Sequence, residues 1–160
     1  MDPVWPRVLV GASSMLTGGV TGPTRSGEDR PLTLGAIEGA IRACWSIETC
    51  DPTDVAHWTP TNPSLGQCAV TALVVHDLVG GELLEAEVQY ADGSRQGFHY
   101  WNRLAGVDID LTRGQFASNE YVQPPHLIDR LPDQPWLAHD KYVVFRDRVR
   151  AELQLPSMVD

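Results

Sequence analysis

Apolar positions in this chain follow two periods, a helical one before residue 80 and an alternating one after it. Leu34, Ile37, Ile41, Cys44 and Trp45 recur at helical intervals behind Thr33. That spacing predicts a helix from about Leu34 to Ser46 with Thr33 as its N-cap. A second helix is expected from roughly Leu65 to Val79, started by Ser64 or Asn62 and ended by Gly80-Gly81. Ala69, Val70, Ala72, Leu73, Val74, Val75 and Leu78 make it apolar nearly all round, so it should be a buried central helix. Strand-like runs follow at Leu83–Tyr90, Gln96–Leu104 and Val107–Thr112, joined by turns at Asp92-Gly93 and Ala105-Gly106. A proline-rich crossing (Pro124, Pro125, Pro132, Pro135) then leads to a last helix near Asp140–Leu153.

Two helices, an antiparallel meander and a closing helix describe one α+β domain over residues 32–155. Residues 1–31 are rich in Gly, Ser, Thr and Pro and are expected to form a flexible N-terminal arm. Between the first two helices, residues 47–65 carry Asp51-Pro52, Thr59-Pro60 and Asn62-Pro63, the chemistry of a long loop. Such a loop in a compact domain is often functional.

Alternation along the second hairpin sets its faces. A two-residue turn at Ala105-Gly106 pairs Leu104 with Val107, Trp101 with Asp110 and His99 with Thr112. One face then collects Phe98, Tyr100, Leu104, Val107, Ile109 and Leu111, the expected core face. The other collects His99, Trp101, Arg103, Asp108, Asp110 and Thr112. His99 and Asp110 become diagonal neighbours, about 7–8 Å apart at the backbone and in reach through their side chains. Asp108 shares the face but lies further from His99, so Asp110 is the preferred partner. In the first hairpin, a loop from Ala91 to Arg95 is preferred, pairing Val88 with Phe98 and Ala86 with Tyr100, with Gly93 left-handed. The alternative, a two-residue turn, would put Glu85 and Glu87 on the face of Phe98 and Tyr100.

These placements bring chemistry together. Cys68 enters the first turn of the central helix, where free backbone N–H groups and the positive helix end favour a thiolate. His99 is then the candidate general acid/base and Asp110 the carboxylate that orients it. The Cys68 backbone N–H, with the side-chain amides of Asn62 or Gln67, is a candidate oxyanion donor set. Asn62 before proline equally fits a turn former or N-cap. Trp58, on the loop, could border a substrate groove, and Trp101 fits core or cleft wall. His76 lies about 12 Å along the helix from Cys68, too far to be its base.

Other classes receive less support. The formal net charge of -9 argues against a nucleic-acid partner, whose phosphates need a cationic face. Arg146, Arg148 and Arg150 fit a solvated face of the last helix. No stretch approaches a membrane span or a signal-peptide core, and three cysteines without framework spacing fit a reducing compartment. A cytoplasmic location is therefore expected. Cys44 and Cys50 lack the close spacing of a structural zinc site, and no glycine-rich phosphate loop follows a strand. No metal and no cofactor is expected.

From about Leu34 to Arg150 the chain resembles the YunG-like family of small bacterial proteins. The resemblance rests on Cys44-Trp45-Ser46 with Glu48-Thr49-Cys50, and on Asn62-Pro63-Ser64 with the run Gly66 to Val75. It continues through Gly80-Gly81-Glu82, His99-Tyr100-Trp101-Asn102 and Ile109-Asp110-Leu111-Thr112 with Gln115-Phe116. More remotely, Gly66-Gln67-Cys68 followed by His99 and Asp110 looks like the transglutaminase branch of papain-like cysteine enzymes. That likeness implies a nucleophile-bearing central helix packed on an antiparallel sheet of three or more strands. The chain departs from that branch at Ala69, where tryptophan is common, and in its short His99–Asp110 interval. The resulting expectation is a thiol-dependent hydrolase or acyltransferase acting on an amide, ester or thioester of a small molecule or peptide end. The competing expectation is a non-catalytic module that keeps the fold and binds a ligand or protein in the same cleft.

Overall fold

The computed structural model describes residues 32–130 and 139–158; the arm at residues 1–31 and the Pro132 and Pro135 part of the crossing lie outside the described residues. Helix α1 spans Leu34–Cys44, with the Thr33 hydroxyl accepting the Ala36 N–H at 3.1 Å as an N-cap. Its buried residues are Ile37, Ala40 and Ile41, one stripe at helical spacing. Helix α2 covers Cys68–Val79 and is buried almost all round, through Val70, Thr71, Ala72, Leu73, Val74 and Val75. It starts three residues later than the pattern suggested, because residues 61–66 fold as successive turns and Gly66 is left-handed at φ 67°. Cys68 is therefore its first residue.

The chain leaves α2 through Gly80 and Gly81. At Gly81 (φ 85°) an added Cβ would sit 2.6 Å from the Arg103 carbonyl oxygen, so only glycine fits where helix and sheet meet. Strands β1 (Glu82–Tyr90), β2 (Arg95–Leu104) and β3 (Val107–Ile109) form an antiparallel meander. Beyond a 3-10 turn at Arg113–Gln115, the short strands β4 (Glu120–Val122) and β5 (His126–Ile128) both pair with β1 on its other edge. The order β3-β2-β1-β4, with β5 also on β1, makes a curled five-stranded sheet. Helix α3 (His139–Glu152) closes the helical layer against α1 and α2. The described residues thus form an α+β fold.

The second hairpin has the expected register, with Leu104 opposite Val107 and Asn102 opposite Ile109. The first hairpin does not. Its tip is a three-residue loop, with Gly93 at φ 82° and Tyr90 N–H bonded to the Ser94 carbonyl at 2.9 Å. A bulge then shifts the register, so Val88 pairs with Gly97, Ala86 with His99 and Leu84 with Trp101. Glu85 and Glu87 consequently lie opposite Tyr100 and Phe98, and the expected pairing of Val88 with Phe98 and Ala86 with Tyr100 is not formed.

The physical reason is that both faces of β1 are buried. Leu83, on one face, joins the main core with α1, α2 and α3, where Phe145 and Val149 are fully enclosed. Leu84 and Ala86, on the other, form a second apolar cluster with Trp101 and Val122. The polar-looking face of β2 is therefore an interior one, whereas Phe98 and Val107, assigned to the core from alternation, are about half exposed. Tyr100 and Leu111 do pack against the main core.

Polar groups lock the layers. Trp45 Nε1 donates to Thr71 Oγ1 at 3.0 Å, and Asn102 Nδ2 donates to the Ala72 carbonyl at 2.9 Å, tying α2 to the chain on both sides. Arg130 reaches Asp77 and Tyr142, while Tyr142 donates to Asp77 at 2.6 Å. The arginines of α3 are more than a solvated face. Arg146 is buried, and Arg148 binds Ser46 and Glu48 of the loop after α1.

Phe145 fills the junction of the three helices. Replacing it with alanine is expected to cost about 3–5 kcal/mol through lost burial and the residual cavity, read as a lower urea midpoint with an unchanged slope.

Candidate functional site

Cys68 is placed by a loop that folds back on itself. Gln67, the residue before it, is fully buried, and its side-chain amide is satisfied on both ends. Its Oε1 accepts from Thr49 Oγ1 at 2.8 Å, and its Nε2 donates to the Ser46 carbonyl at 2.7 Å. Thr49 also accepts the Ser46 N–H at 3.2 Å. The Trp45–Thr49 segment is thus a clamp on the residue preceding the thiol. Asn62 is committed in the same way, donating to the Gln115 carbonyl at 3.3 Å while its Oδ1 accepts from Ser64 Oγ. Both amides hold the loop in shape, which leaves the backbone N–H groups of the first turn of α2 as the donors beside the thiol.

Gly66 shows how tight this packing is. A Cβ there would lie 2.6 Å from Cys50 Sγ and 3.0 Å from the Asp51 backbone nitrogen. Cys50 is fully buried, donates to the Leu65 carbonyl at 3.3 Å, and has its thiol pushed up to about 11, chiefly by burial. It is a packing residue under the turn. Cys68, by contrast, is only partly buried.

The other half of the site comes from the sheet. His99 is 1% exposed, and its Nε2 lies 2.8 Å from Asp110 Oδ2. Asp110 is held from behind, its Oδ1 accepting the Thr112 N–H at 3.1 Å. Asp108 points elsewhere, to Trp101 Nε1 at 3.1 Å and Arg103 Nε at 2.6 Å. The ring of Trp101 stacks on His99 with centroids 5.3 Å apart, and Phe116 meets the imidazole edge-on at 4.7 Å. Trp101 is buried, so it backs the histidine rather than lining an open cleft. Trp58 donates to the Pro63 carbonyl at 3.1 Å and braces the loop.

Burial pushes the His99 imidazole down, but hydrogen bonds to Asp110 and Cys68, with the charges of both, reverse this and carry it to about 9. Cys68 is therefore within interaction range of the ring that Asp110 orients, and the structure brings the three residues together. Two participants were missed by sequence reasoning. Thr49 holds Gln67, and Gln115 places its Nε2 3.2 Å from His99 Nδ1 and its Oε1 3.3 Å from the Gly66 N–H. Nothing in periodicity marks either residue, because each acts across a long sequence gap. Among the described residues, no group of three or more His, Cys, Asp or Glu side chains is gathered as metal ligands would be. Also among them, no helix is long and apolar enough to cross a membrane.

Two outcomes follow from this geometry. Gly66→Ala forces a left-handed alanine into a filled space and is expected to destabilise the fold by about 2 kcal/mol or more, measured by urea unfolding. His99 titrates near 6.5 when unfolded and about 9 when folded, so the folded state holds the extra proton between those values. Its contribution to stability is complete below about pH 6.5 and is lost as the pH rises through about 9. Unfolding free energies across that window should fall more steeply in the wild type than in Asp110→Asn; equal slopes would contradict the assigned pairing.

Comparison with known proteins places the chain in a family. No solved structure matches the chain. A Bacillus subtilis (strain 168) protein named "Uncharacterized protein YunG" is 41% identical over 90 residues, covering 56% of this chain and 69% of the relative. The family model described as YunG protein matches residues 33–154, which contain both helix-borne and sheet-borne halves of the site, and the chain belongs to the YunG family.

Proposed function

We propose that this protein is a thiol-dependent hydrolase or acyltransferase that uses Cys68, His99 and Asp110 on an amide, ester or thioester. One observation carries the reading. A buried imidazole whose Nε2 lies 2.8 Å from a carboxylate has a partly exposed cysteine, at the first position of a helix, as its other ionisable partner. A helix bearing the nucleophile against an antiparallel sheet bearing histidine and aspartate is also the arrangement of papain- and transglutaminase-like enzymes, and we assign the fold to that type.

In this reading His99 takes the thiol proton, and the Cys68 thiolate attacks the substrate carbonyl carbon. The negative charge that develops on the carbonyl oxygen meets the first-turn N–H groups of α2. Collapse of the tetrahedral species breaks the bond to the leaving group, which receives the proton from His99. Water or another nucleophile, deprotonated by the same ring, then cleaves the Cys68 thioester and restores the thiol. Asp110 keeps the Nε2 proton and stabilises the imidazolium throughout. Every group required is a side chain or backbone N–H of this chain, so the reading calls for no cofactor. The substrate is a small molecule or a peptide end, and a cytoplasmic setting keeps the thiol reduced.

The test is the rate of Cys68 alkylation by iodoacetamide as a function of pH, quantified by mass spectrometry. Wild-type Cys68 should react at neutral pH, and His99→Ala should slow it about tenfold there while shifting the profile to higher pH. A Cys68 that alkylates identically in both proteins defeats the enzyme reading and favours a non-catalytic module that binds a ligand or protein in this cleft.

A further inference from the structure

We infer that Gln115 is a positioning residue that fixes the neutral His99 ring as the Nε2–H tautomer, its amide N–H donating to the Nδ1 lone pair that is to take the Cys68 proton. The inference rests on the triad reading and adds a fourth participant to it. Gln115 ends the 3-10 turn that follows β3 and is 8% exposed. The orientation of its amide is dictated by a backbone group. The Gly66 N–H can only donate, and it reaches Gln115 Oε1 at 3.3 Å. That turns the Gln115 amide nitrogen, also a pure donor, toward His99 Nδ1 at 3.2 Å. Nδ1 must then accept, so the ring proton resides on Nε2, where Asp110 accepts it at 2.8 Å. From Gly66 through Gln115 and His99 to Asp110, every donor meets an acceptor in one direction.

Protonating Nδ1 breaks this order. It sets N–H against N–H at Gln115, and turning the amide over only moves the conflict to Gly66. Gln115 thus opposes the imidazolium, whereas the ionisable groups that face the ring favour it: Asp110 from the segment after β3 and Cys68 from α2. Trp101 and Phe116, which pack on the ring, carry no charge. Gln115 has to give up its bond to Nδ1 when that nitrogen takes the Cys68 proton, and its donor favours the return of the proton to the leaving group. Gln115 also ties the two halves of the site together, since its own carbonyl accepts from Asn62 at 3.3 Å.

The experiment follows the His99 ring nitrogens by NMR during a pH titration of the full chain, in wild type, Gln115→Met and Gln115→Glu. In the wild type the neutral ring should carry its proton on Nε2. Gln115→Met keeps the shape but removes the opposing donor, so the imidazolium should persist to higher pH by about half a unit, roughly threefold in the protonation equilibrium. Gln115→Glu accepts from both Gly66 N–H and a protonated Nδ1, and should raise the titration further. A shift to lower pH in Gln115→Met, a titration unmoved in Gln115→Glu, or a neutral wild-type ring protonated on Nδ1 would each overturn the inference. Should the methionine variant fail to fold, the glutamate variant and the wild-type tautomer decide it alone. Unmoved titrations alongside His99-dependent alkylation of Cys68 remove Gln115 and leave the triad. Alkylation indifferent to His99 removes the triad whatever Gln115 does.

Discussion

An ionisable ring buried inside a sheet governs much of this architecture. His99 has almost no contact with solvent, so each ring nitrogen must find its partner within the protein. Asp110 supplies one from the far side of the second hairpin, and Gln115 supplies the other from the turn that follows. Trp101 stacks on the ring and Phe116 meets it edge-on. The segment from Asp110 to Phe116 therefore covers the sheet because it satisfies the histidine, and the bulge between β1 and β2 places Ala86 and Leu84 beside it.

The helical side is arranged by a related constraint. Cys68 can face the histidine only if α2 starts at the right residue, and that start is set by buried polar groups ahead of it. Gln67 is anchored to Ser46 and Thr49, and Gly66 adopts a conformation and a clearance that no other residue provides. Arg148 and Lys141 of α3 reach back to Ser46 and Glu48, so the helical layer steadies the same clamp. Three segments far apart in sequence hold one thiol in place. Deleting the buried bond from Thr49 to Gln67 would leave an unpaired polar group, which costs about 1–3 kcal/mol.

The two halves of the site are also joined by hydrogen bonds. Gln115 receives the Gly66 N–H and the Asn62 amide with its two oxygens, so the turn after β3 is fastened to the loop before α2. Asn62 and Gln67, good candidates for oxyanion donors on residue type alone, are consumed in positioning, Asn62 on the Gln115 carbonyl and Gln67 between Thr49 and Ser46. The Gln115 fastening also assigns the glutamine amide a role in the protonation of the ring, a task that charge alone would drive toward the imidazolium.

Much was legible in the sequence. The helical spacing from Leu34 and the apolar run after Cys68 foretold α1 and the central helix, because an amphipathic or wholly apolar period reports burial directly. The Ala105-Gly106 turn fixed the second register, and with it the meeting of His99 and Asp110, since a short turn leaves side-chain alternation no freedom. Other features needed the tertiary structure. Whether Phe98 or Trp101 faced inward depended on what covers each face of the sheet, and alternation alone is symmetric to that choice. The first register turned on a bulge at a position that carries no sequence mark. Thr49 and Gln115 became partners of Gln67 and His99 only when chain segments 18 and 16 residues apart were folded together, because a buried amide is satisfied by whatever the fold brings to it.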